Sequence, residues 1–292
     1  MFEGFDERRI KTSGAEIFCR IGGEGLPLLL LHGNPQTSAM WHKVAPELAQ
    51  RFTLICADLR GYGRSSKPRT TADHAPYSKR AMARDMVEVM DTLGFDRFLI
   101  GSHDRGARVA HRLSLDHTSR VIKLAVLDIA PTREMFQNAD TAFATSYWHW
   151  YFMIQPSPFP ERLMAADPEF YWLKKCGSGA AGLGPFAPEA LAEYLACFKD
   201  PAMIHGSCED YRAAATIDIA HDDADGDRKL EIPVLALWGA HGAIEKHFDC
   251  LELWRRRALH VEGHSLPGGH YLAEELPEQV ITAFTRFFGS EA

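Results

Sequence analysis

The sequence lacks the features that mark membrane-spanning, secreted and repeat proteins. Its longest aliphatic run, LPLLLL from Leu26, is far too short to span a bilayer, and no internal repeat or low-complexity stretch is present. Its six cysteines form no C-x-x-C pair, and the N-terminal segment MFEGFDERRIKTSG is charged where a secretory signal would be apolar. We therefore expect a cytoplasmic protein with reduced thiols that does not bind a membrane.

Charge of one sign is not concentrated in any run either. The formal net charge is −7, from 32 Lys and Arg against 39 Asp and Glu, which argues against nucleic acid as a partner. The 14 histidines show no ligand spacing with cysteines or carboxylates, so we expect no metal or other cofactor. An anionic small molecule would have to meet a local cationic site.

The sequence does contain enough apolar residues for a large core, 46% of 292. Strand and helix patterns alternate along it, which predicts a largely parallel sheet with helices on both faces. We predict helices at roughly 77–93 and 277–288, and strands at AEIFCRIG, LPLLLLHG, FTLICADL, FLIGS, VIKLAVLD, IPVLALWG and ALHVEG.

The segment between Asp128 and Ile232 shows no strand alternation and is rich in aromatic residues. This pattern is typical of a helical insertion that covers one end of a sheet. We predict a core domain over residues 1–130 and 231–292, and a helical cap over residues 131–230 inserted after the strand that ends at Asp128.

The segment LIGSHDRGARVAHRL, residues 99–113, runs from a strand pattern into a helix pattern and contains two candidate nucleophiles. A sharp corner of the G-x-S-x-G type requires small residues two positions before and two positions after the nucleophile. Asp104 has Ser102 and Gly106 there, whereas Ser102 has Ile100 and Asp104. We therefore predict that the Asp104 carboxylate attacks a saturated carbon and forms an ester with the enzyme. The alternative is that Asp104 only caps the following helix.

Hydrolysis of that ester needs a histidine base held by an acid, in the chain order nucleophile, acid, histidine. Asp128 ends the strand KLAVLD at the sheet edge where ligands bind, and the other usual position, after LALWG, has no nearby aspartate. Of the two C-terminal histidines, we predict His270 in GGHYLAEELP as the base and His264 as a loop residue. The backbone N–H groups of Asn34, in the turn HGNP, and of Arg105 are predicted to form the oxyanion hole.

Seven segments spread over nearly the whole chain resemble the fluoroacetate (haloacetate) dehalogenases of the α/β-hydrolase superfamily. They are HGNPQ, DLRGYGRSSKP, HDRGARVAHRLSLDH, LDIAPT, YWHWYF, CEDYRAAATID and GGHYLAEELPEQV. The resemblance implies an α/β-hydrolase fold with a mostly parallel eight-stranded sheet and a helical cap. It also implies hydrolysis of a small halogenated carboxylate without a cofactor. Related enzymes are often homodimers.

The resemblance also implies roles for individual residues. Asp104 would displace the halide, and His270, oriented by Asp128, would activate the hydrolytic water. Arg105 and Arg108 would hold the substrate carboxylate. The departing halide would be bound by three donors of the insertion, namely His149, Trp150 and Tyr211.

The spacing of the two arginines supports their implied role. Arg105 and Arg108 are three residues apart on one predicted helical turn, so they can converge on one anion. Two guanidinium groups also favour the ionised form of Asp104. The alternative is that they neutralise acidic neighbours on a surface helix.

Some positions depart from the family pattern. Asn34 stands where these dehalogenases commonly carry phenylalanine, and Ser102 stands where glycine is usual. The segment KKCGSGAAGLGPF, residues 174–186, is rich in small residues where fluoroacetate-specialised members tend to carry a bulky tryptophan. These departures predict a wider, more polar pocket that accepts chloroacetate, bromoacetate or larger 2-halo acids.

Other functions would use part of the same set. An epoxide hydrolase would use the same Asp, acid and His with two cap tyrosines, of which Tyr211 is one candidate, but it has no purpose for an arginine pair. A non-catalytic ligand-binding member of the fold would not need the complete triad. A serine esterase is disfavoured because Ser102 lacks small neighbours at the required positions.

Overall fold

The computed structural model describes residues 1–179 and 181–289. Within these residues the chain forms one sheet of eight strands in the order β1-β2-β4-β3-β5-β6-β7-β8. The strands are β1 Asp6–Lys11, β2 Glu16–Gly22, β3 Leu26–Leu31, β4 Phe52–Ala57, β5 Phe98–His103, β6 Val121–Leu127, β7 Leu230–Gly239 and β8 Ala258–Leu266.

The sheet is mostly parallel, as predicted. Strand β2 pairs antiparallel with both β1 and β4, and every pairing from β4 through β3 to β8 is parallel. The central strand β3 is buried from Pro27 to Leu31 and β5 is buried throughout. Strands covered on both faces are rich in apolar residues, so their sequences read as apolar runs. That burial explains why both were predictable from sequence.

Strand β1 was not predicted from the sequence. Of its six residues DERRIK only Ile10 is buried, and its register opposite Ile17 makes it an edge strand of the sheet. An edge strand with one buried side chain carries too little alternation to be detected. Strand β8 was predicted as a weak segment and extends to Leu266, so it also includes His264.

Fifteen helices lie within the described part of the chain, with two short 3₁₀ segments at Ser38–Trp41 and Ala75–Tyr77. None of these helices combines the length and the apolarity needed to cross a bilayer. They are α1 Ala45–Leu48, α2 Lys79–Thr92, α3 Asp104–Asp116, α4 Thr132–Gln137, α5 Thr141–Ser146, α6 Trp148–Met153, α7 Phe159–Ala166, α8 Pro168–Cys176, α9 Pro188–Phe198, α10 Pro201–Ala215, α11 Ile217–Asp225, α12 Ala243–His247, α13 Cys250–Arg257, α14 Leu272–Glu275 and α15 Pro277–Gly289.

The segment between β6 and β7 contains helices α4 to α11 and, residue 180 aside, no strand. We call this segment the cap; its boundaries at residues 130 and 231 stay a prediction. Buried contacts join it to the sheet: Arg105 of α3 pairs with Asp210 of α10, and Arg20 of β2 pairs with Glu193 of α9. These contacts place cap side chains directly above the carboxyl ends of the strands.

The carboxyl ends of the parallel strands carry the predicted site residues. Asp104 follows β5, Asp128 follows β6, Asn34 lies shortly after β3, and His270 lies in the segment after β8. Since parallel strands end at the same edge of a sheet, residues far apart in sequence meet there.

Candidate active site

The turn between β5 and α3 holds Asp104 in a backbone conformation that side chains rarely adopt. Its φ is 44°, and the helix begins at Asp104 itself. A Cβ on Gly106 would lie 2.4 Å from the carbonyl oxygen of His32, and one on Gly33 would lie 2.4 Å from the Cβ of Asp104. The corner is therefore closed to larger residues on both sides, as the small-residue pattern predicts.

This turn has two alternative interpretations: Ser102 could be the nucleophile, or Asp104 could only cap helix α3. The Ser102 hydroxyl is fully buried and donates to the Ala125 carbonyl oxygen at 2.8 Å, so it is tied to strand β6. The N-cap of α3 is His103, and no side chain caps the helix there. The Asp104 carboxylate is instead directed at His270, with Oδ2 3.5 Å from Nε2, while its Oδ1 is buried without a partner.

His270 joins the two carboxylates that were predicted from sequence. Its Nδ1 lies 2.5 Å from Oδ2 of Asp128, and its Nε2 faces Asp104. Asp128 is fully buried and also accepts a hydrogen bond from the Gly239 N–H at 2.9 Å. The structure thus brings Asp104, His270 and Asp128 into one line, the geometry that their predicted roles as nucleophile, base and acid require.

The electrostatics of this line favour a charged Asp104 and a charged His270 in the resting state. Burial alone would raise the pKa of Asp104, but hydrogen bonding and charge from His270, with His103 and Arg105, hold it well below its usual value. Burial opposes charge on His270, yet the hydrogen bonds to Asp104 and Asp128 raise its pKa to about 9. The resting pair is therefore a carboxylate and an imidazolium.

The neighbouring histidines differ in position and charge. His264, predicted as a loop residue, lies on β8 opposite Leu237, and it lines a surface hollow with Glu278 and Arg286. The prediction that His264 lies in a loop was wrong. The exposed and half-buried residues of β8 give no clear apolar alternation from which the strand could be extended to His264. His103 is buried, its pKa lowered to about 3 by burial and by the charge of His270, and its Nε2 donates to the His270 carbonyl oxygen at 2.9 Å. It therefore supports the loop that carries the base.

Arg105 is fully buried and already has a counter-ion. Its Nε donates to Oδ2 of Asp210 at 2.9 Å, and its Nη2 donates to Oδ1 at 2.7 Å and to the Asp210 backbone carbonyl at 2.9 Å. Its Nη1 is buried without a partner. Despite burial, the adjacent Asp210 carboxylate raises the pKa of Arg105.

Arg108 differs from Arg105, since it has no carboxylate within ion-pair distance in the described residues. Its Nη1 donates to the Ala130 carbonyl at 3.1 Å and to the Thr132 hydroxyl at 2.7 Å, and its Nε is buried without a partner. Burial and the charge of Arg105 lower its pKa to about 10, so it stays cationic at neutral pH. A buried, unpaired guanidinium can accept an anion.

The three predicted halide donors lie together on helices of the cap. Trp150 and Tyr211 are buried, and neither the indole Nε1 nor the phenol oxygen has a hydrogen-bond partner among residues 1–179 and 181–289. Tyr211 stacks on Arg105 with 4.1 Å between Cζ and the ring centroid, and Trp150 stacks on Arg108 at 4.8 Å. His149 packs edge-on against Tyr211, and burial with the charge of Lys175 keeps its pKa well below the usual value.

The loop after β3 is fixed by cap residues rather than by the sheet alone. The Asn34 carbonyl accepts from Nζ of Lys175 at 2.9 Å, and its side-chain amide donates to Ser207 at 3.1 Å. Trp172 donates to the Pro35 carbonyl at 3.3 Å. Since Gly33 lies against Asp104, this loop places Asn34 beside the predicted nucleophile; its oxyanion role stays a prediction, as does that of the Arg105 amide.

A cavity of about 170 Å³ opens onto this site between the cap and the sheet. It reaches Asp104, His149 and His270, whereas Arg105, Arg108, Trp150 and Tyr211 lie outside its lining. Its cap wall includes much of the small-residue segment 174–186, whose residue 180 lies outside the described residues. That wall is formed by Ser146, Tyr147, Trp148, His149, Lys175, Cys176, Ser178, Gly179, Ala181 and Gly182.

A scan of family models matches residues 27–277 to the alpha/beta hydrolase fold. The chain belongs to the α/β-hydrolase fold family. The fold class predicted from the sequence is therefore confirmed.

Among the proteins similar to this α/β hydrolase is a fluoroacetate dehalogenase from Burkholderia sp, 48% identical over 98% of this chain and 95% of the relative. A soluble epoxide hydrolase from Corynebacterium sp. (strain C12) is 34% identical, with 91% of each chain covered. A solved α/β-hydrolase structure from Nostoc sp PCC 7120 is 53% identical over 99% of both chains, with a TM-score of 0.96. The predicted resemblance to fluoroacetate dehalogenases is confirmed.

Two further side chains of this α/β hydrolase were not singled out from the sequence. Asp210 lay in the segment CEDYRAAATID, and Lys175 lay in the small-residue segment, but neither has a spacing that identifies its partner. Only the folded chain shows that Asp210 holds Arg105 and that Lys175 lines the cavity.

One group of side chains in the described residues has the donor types of a metal site. Glu161, His205 and Glu209 place their ligand atoms within 4.8 Å of one another. Arg212 donates to both carboxylates, at 2.7 Å in each case, so one cation already pairs with both members of the group that carry negative charge. In this α/β hydrolase the cluster is best described as an ion-pair network in the cap.

Proposed function

We propose that this α/β hydrolase hydrolyses haloacetates and related 2-halo acids to the 2-hydroxy acid and halide, with Asp104 as the nucleophile. The observation that carries the proposal is the Asp104, His270 and Asp128 line beside Arg108, a buried cation without a carboxylate partner in the described residues. The similarity to a fluoroacetate dehalogenase supports the same substrate class.

In the first step, Oδ2 or Oδ1 of Asp104 attacks the carbon that bears the halogen. The carbon–halogen bond breaks, the halide leaves with the bonding electrons, and the carboxylate becomes an ester. The low pKa of Asp104 keeps it ionised for this attack. Arg105 and Arg108 would hold the substrate carboxylate so that the halogen points away from Asp104.

The departing halide needs hydrogen-bond donors in a site without bulk water, fluoride most of all. The unpartnered indole N–H of Trp150 and phenol O–H of Tyr211 are suited to this. His149 is neutral and lines the cavity, so one ring N–H is a third donor. The packing of Tyr211 on Arg105 and of Trp150 on Arg108 supports a halide site next to the carboxylate site.

In the second step, water attacks the carbonyl carbon of the Asp104 ester while His270 Nε2 takes its proton. Ester formation removes the charge of Asp104, one of the two groups that raise the pKa of His270, so the imidazole can become neutral. The amides of Asn34 and Arg105 would stabilise the oxyanion. Collapse of the oxyanion releases the 2-hydroxy acid, regenerates Asp104 and leaves the proton on His270.

The same triad would serve an epoxide hydrolase, as in the Corynebacterium relative by name. An uncharged epoxide would leave Arg108 buried and unpaired, which costs several kcal/mol per ion. A substrate carboxylate removes that cost, so the 2-halo acid is the better candidate.

The proposal also covers the range of substrates, the cellular compartment and the assembly of the enzyme. The small residues along the cavity wall favour chloroacetate, bromoacetate and larger acids as substrates alongside fluoroacetate. The six free cysteines suit a reducing cytoplasm, and a homodimer is the assembly proposed.

The test uses a His270→Ala variant incubated with bromoacetate and analysed by intact mass. We expect the ester to accumulate, because alkylation does not need the base. We also expect an added mass of one carboxymethyl group, located at Asp104. Peptide mapping locates the adduct. Wild-type enzyme should show no lasting adduct.

The matched control is His264→Ala, which removes the other C-terminal histidine far from Asp104. It should release bromide at the wild-type rate. A folded His270→Ala variant that gains no adduct at Asp104 would contradict the ester mechanism.

A further inference from the structure

Asp210 is a buried carboxylate that takes no part in the reacting line. It lies on α10 of the cap with no exposed surface, and it reaches across to α3 of the core. Its partners are three donors from different elements: the Arg105 guanidinium, the ammonium of Lys79, and the hydroxyl of Tyr62, which lies 2.5 Å from Oδ2.

The contact with Arg105 fixes the guanidinium rather than merely neutralising it. Two of its nitrogens are bound to Asp210 in a side-on pair, and the third, Nη1, is buried with no partner in the described residues. The ring of Tyr211, the next residue on α10, covers the guanidinium at 4.1 Å. Asp210 therefore holds the edge of the Arg105 guanidinium and Tyr211 covers its face, which leaves Nη1 as its one nitrogen without a partner in the described residues.

The two arginines consequently differ in how far neighbouring carboxylates neutralise their charge. Arg105 shares Asp210 with Lys79, and Lys79 is also 3.4 Å from Asp218, so two cations meet two carboxylates. Arg108 contacts a carbonyl, a hydroxyl and the sulfur of Met135, which do not neutralise it. The unneutralised positive charge beside Asp104 therefore belongs to Arg108.

We propose that Asp210 is a positioning residue for substrate binding: it aims Nη1 of Arg105 at the substrate carboxylate, while Arg108 supplies the balancing charge. This rests on the proposed function, because it assumes a ligand with a carboxylate. A fixed planar donor selects a carboxylate by geometry, whereas a free arginine pair would bind any anion. Asp210 acts through Arg105 and does not touch the substrate.

The experiment measures glycolate binding by calorimetry, together with bromide release from bromoacetate, in wild type, Asp210→Asn and Asp218→Asn. Asp218 is a matched control, since it is a buried cap carboxylate that contacts Lys79 but not Arg105. We expect Asp210→Asn to weaken glycolate binding about tenfold or more, the loss expected for a charge-assisted pair. Asp218→Asn should stay within about threefold of wild type.

A double-mutant cycle separates positioning from general stability. In an Arg105→Lys background, which cannot form the side-on pair, Asp210→Asn should weaken glycolate binding little further. Additive losses would overturn the proposal. If Asp210→Asn does not fold, Tyr62→Phe is used instead, because it removes one of the donors to Asp210. Unchanged glycolate binding in both Tyr62→Phe and Arg105→Lys would also overturn the proposal.

Failure of the proposed function has a different outcome. Wild type that binds glycolate but releases no bromide contradicts dehalogenation, and the Asp210 comparison still stands on binding. Wild type that releases bromide, with Asp210→Asn binding glycolate as tightly as wild type, overturns only the role of Asp210. Wild type that does not bind glycolate overturns the Asp210 proposal.

Discussion

His270 must change its protonation between the two proposed steps. In the resting enzyme its pKa of about 9 keeps it protonated at neutral pH, held by Asp104 and Asp128 on either side. A protonated imidazole cannot accept a proton from water. Esterification of Asp104 removes one of the two negative charges that raise the pKa of His270. The pKa of His270 therefore falls in the ester, and the imidazole becomes a neutral base only after the ester has formed.

This proton balance predicts how pH affects the ester. Alkylation needs ionised Asp104, whose low pKa keeps it ionised across the range, whereas hydrolysis needs neutral His270. As pH falls below the His270 pKa of the ester, hydrolysis slows by about tenfold per unit while alkylation continues. We expect acid-quenched wild type under turnover to hold several-fold more ester at about pH 5 than at about pH 8, measured by intact mass.

His264→Ala serves as the reference for this pH dependence, since His264 lies away from the site. It should reproduce the wild-type profile. An ester fraction that is no larger at the lower pH would show that His270 is not the group that limits hydrolysis.

Some site residues can be predicted from sequence and some cannot, for a physical reason. Asp104 is identified by the small residues that a tight corner requires, and that requirement is local in sequence. Asp210 lies 105 residues from Arg105, and Lys175 lies 141 from Asn34. Such pairs depend on how the cap folds over the sheet, which no local spacing records.

At the scale of the elements, the β5–α3 corner depends on the absence of side-chain carbon at Gly106. We predict that Gly106→Ala destabilises the protein by about 1–3 kcal/mol, the usual cost of overpacking. The added Cβ would lie 2.4 Å from the His32 carbonyl oxygen and 2.7 Å from the Leu31 side chain. Urea unfolding followed by circular dichroism measures the change, and the variant should also lose turnover because Asp104 moves.

Gly179→Ala is the control for this stability measurement. Its chain neighbours aside, no atom of the described residues lies within 4 Å of the position its Cβ would take, so its stability should stay within about 0.5 kcal/mol of wild type. Equal stability of the two alanine variants would mean that the corner tolerates a larger residue.

The elements that were hard to predict share low burial. Strands β3 and β5 are largely or wholly buried and read as apolar runs. Strand β1 is exposed except at Ile10, and β8 is buried only at its two end residues, so neither reads as an apolar run. A strand at the sheet edge is held mainly by backbone pairing, here Asp6–Lys11 against β2. Backbone pairing is independent of side-chain type, so the sequence pattern is weak.

At the scale of the whole molecule, substrate range follows from the space between cap and sheet. The cap side of the cavity combines large residues, Tyr147 and Trp148, with the small residues of segment 174–186, and Gly179 has open space where a side chain would start. We predict halide release from chloroacetate, bromoacetate and 2-chloropropionate, with fluoride release from fluoroacetate far slower, because fluoride is the poorest leaving group. Halide release across the four acids measures this.

A Gly179→Leu variant fills the same space and should reduce the rate with 2-chloropropionate more than the rate with chloroacetate. Turnover confined to fluoroacetate in the wild type would contradict the wide pocket. So would a Gly179→Leu variant that slows both acids equally.

Haloacetates are general alkylating agents for thiolates, so an enzyme that concentrates them exposes its own cysteines to them. Cys176 lines the same cavity as Asp104. Burial raises the pKa of its thiol to about 11, so at neutral pH it is almost entirely protonated and a poor nucleophile. Within the cavity the ionised Asp104 is therefore a far better nucleophile than the protonated Cys176 thiol, and this difference in protonation favours alkylation of Asp104 over alkylation of Cys176.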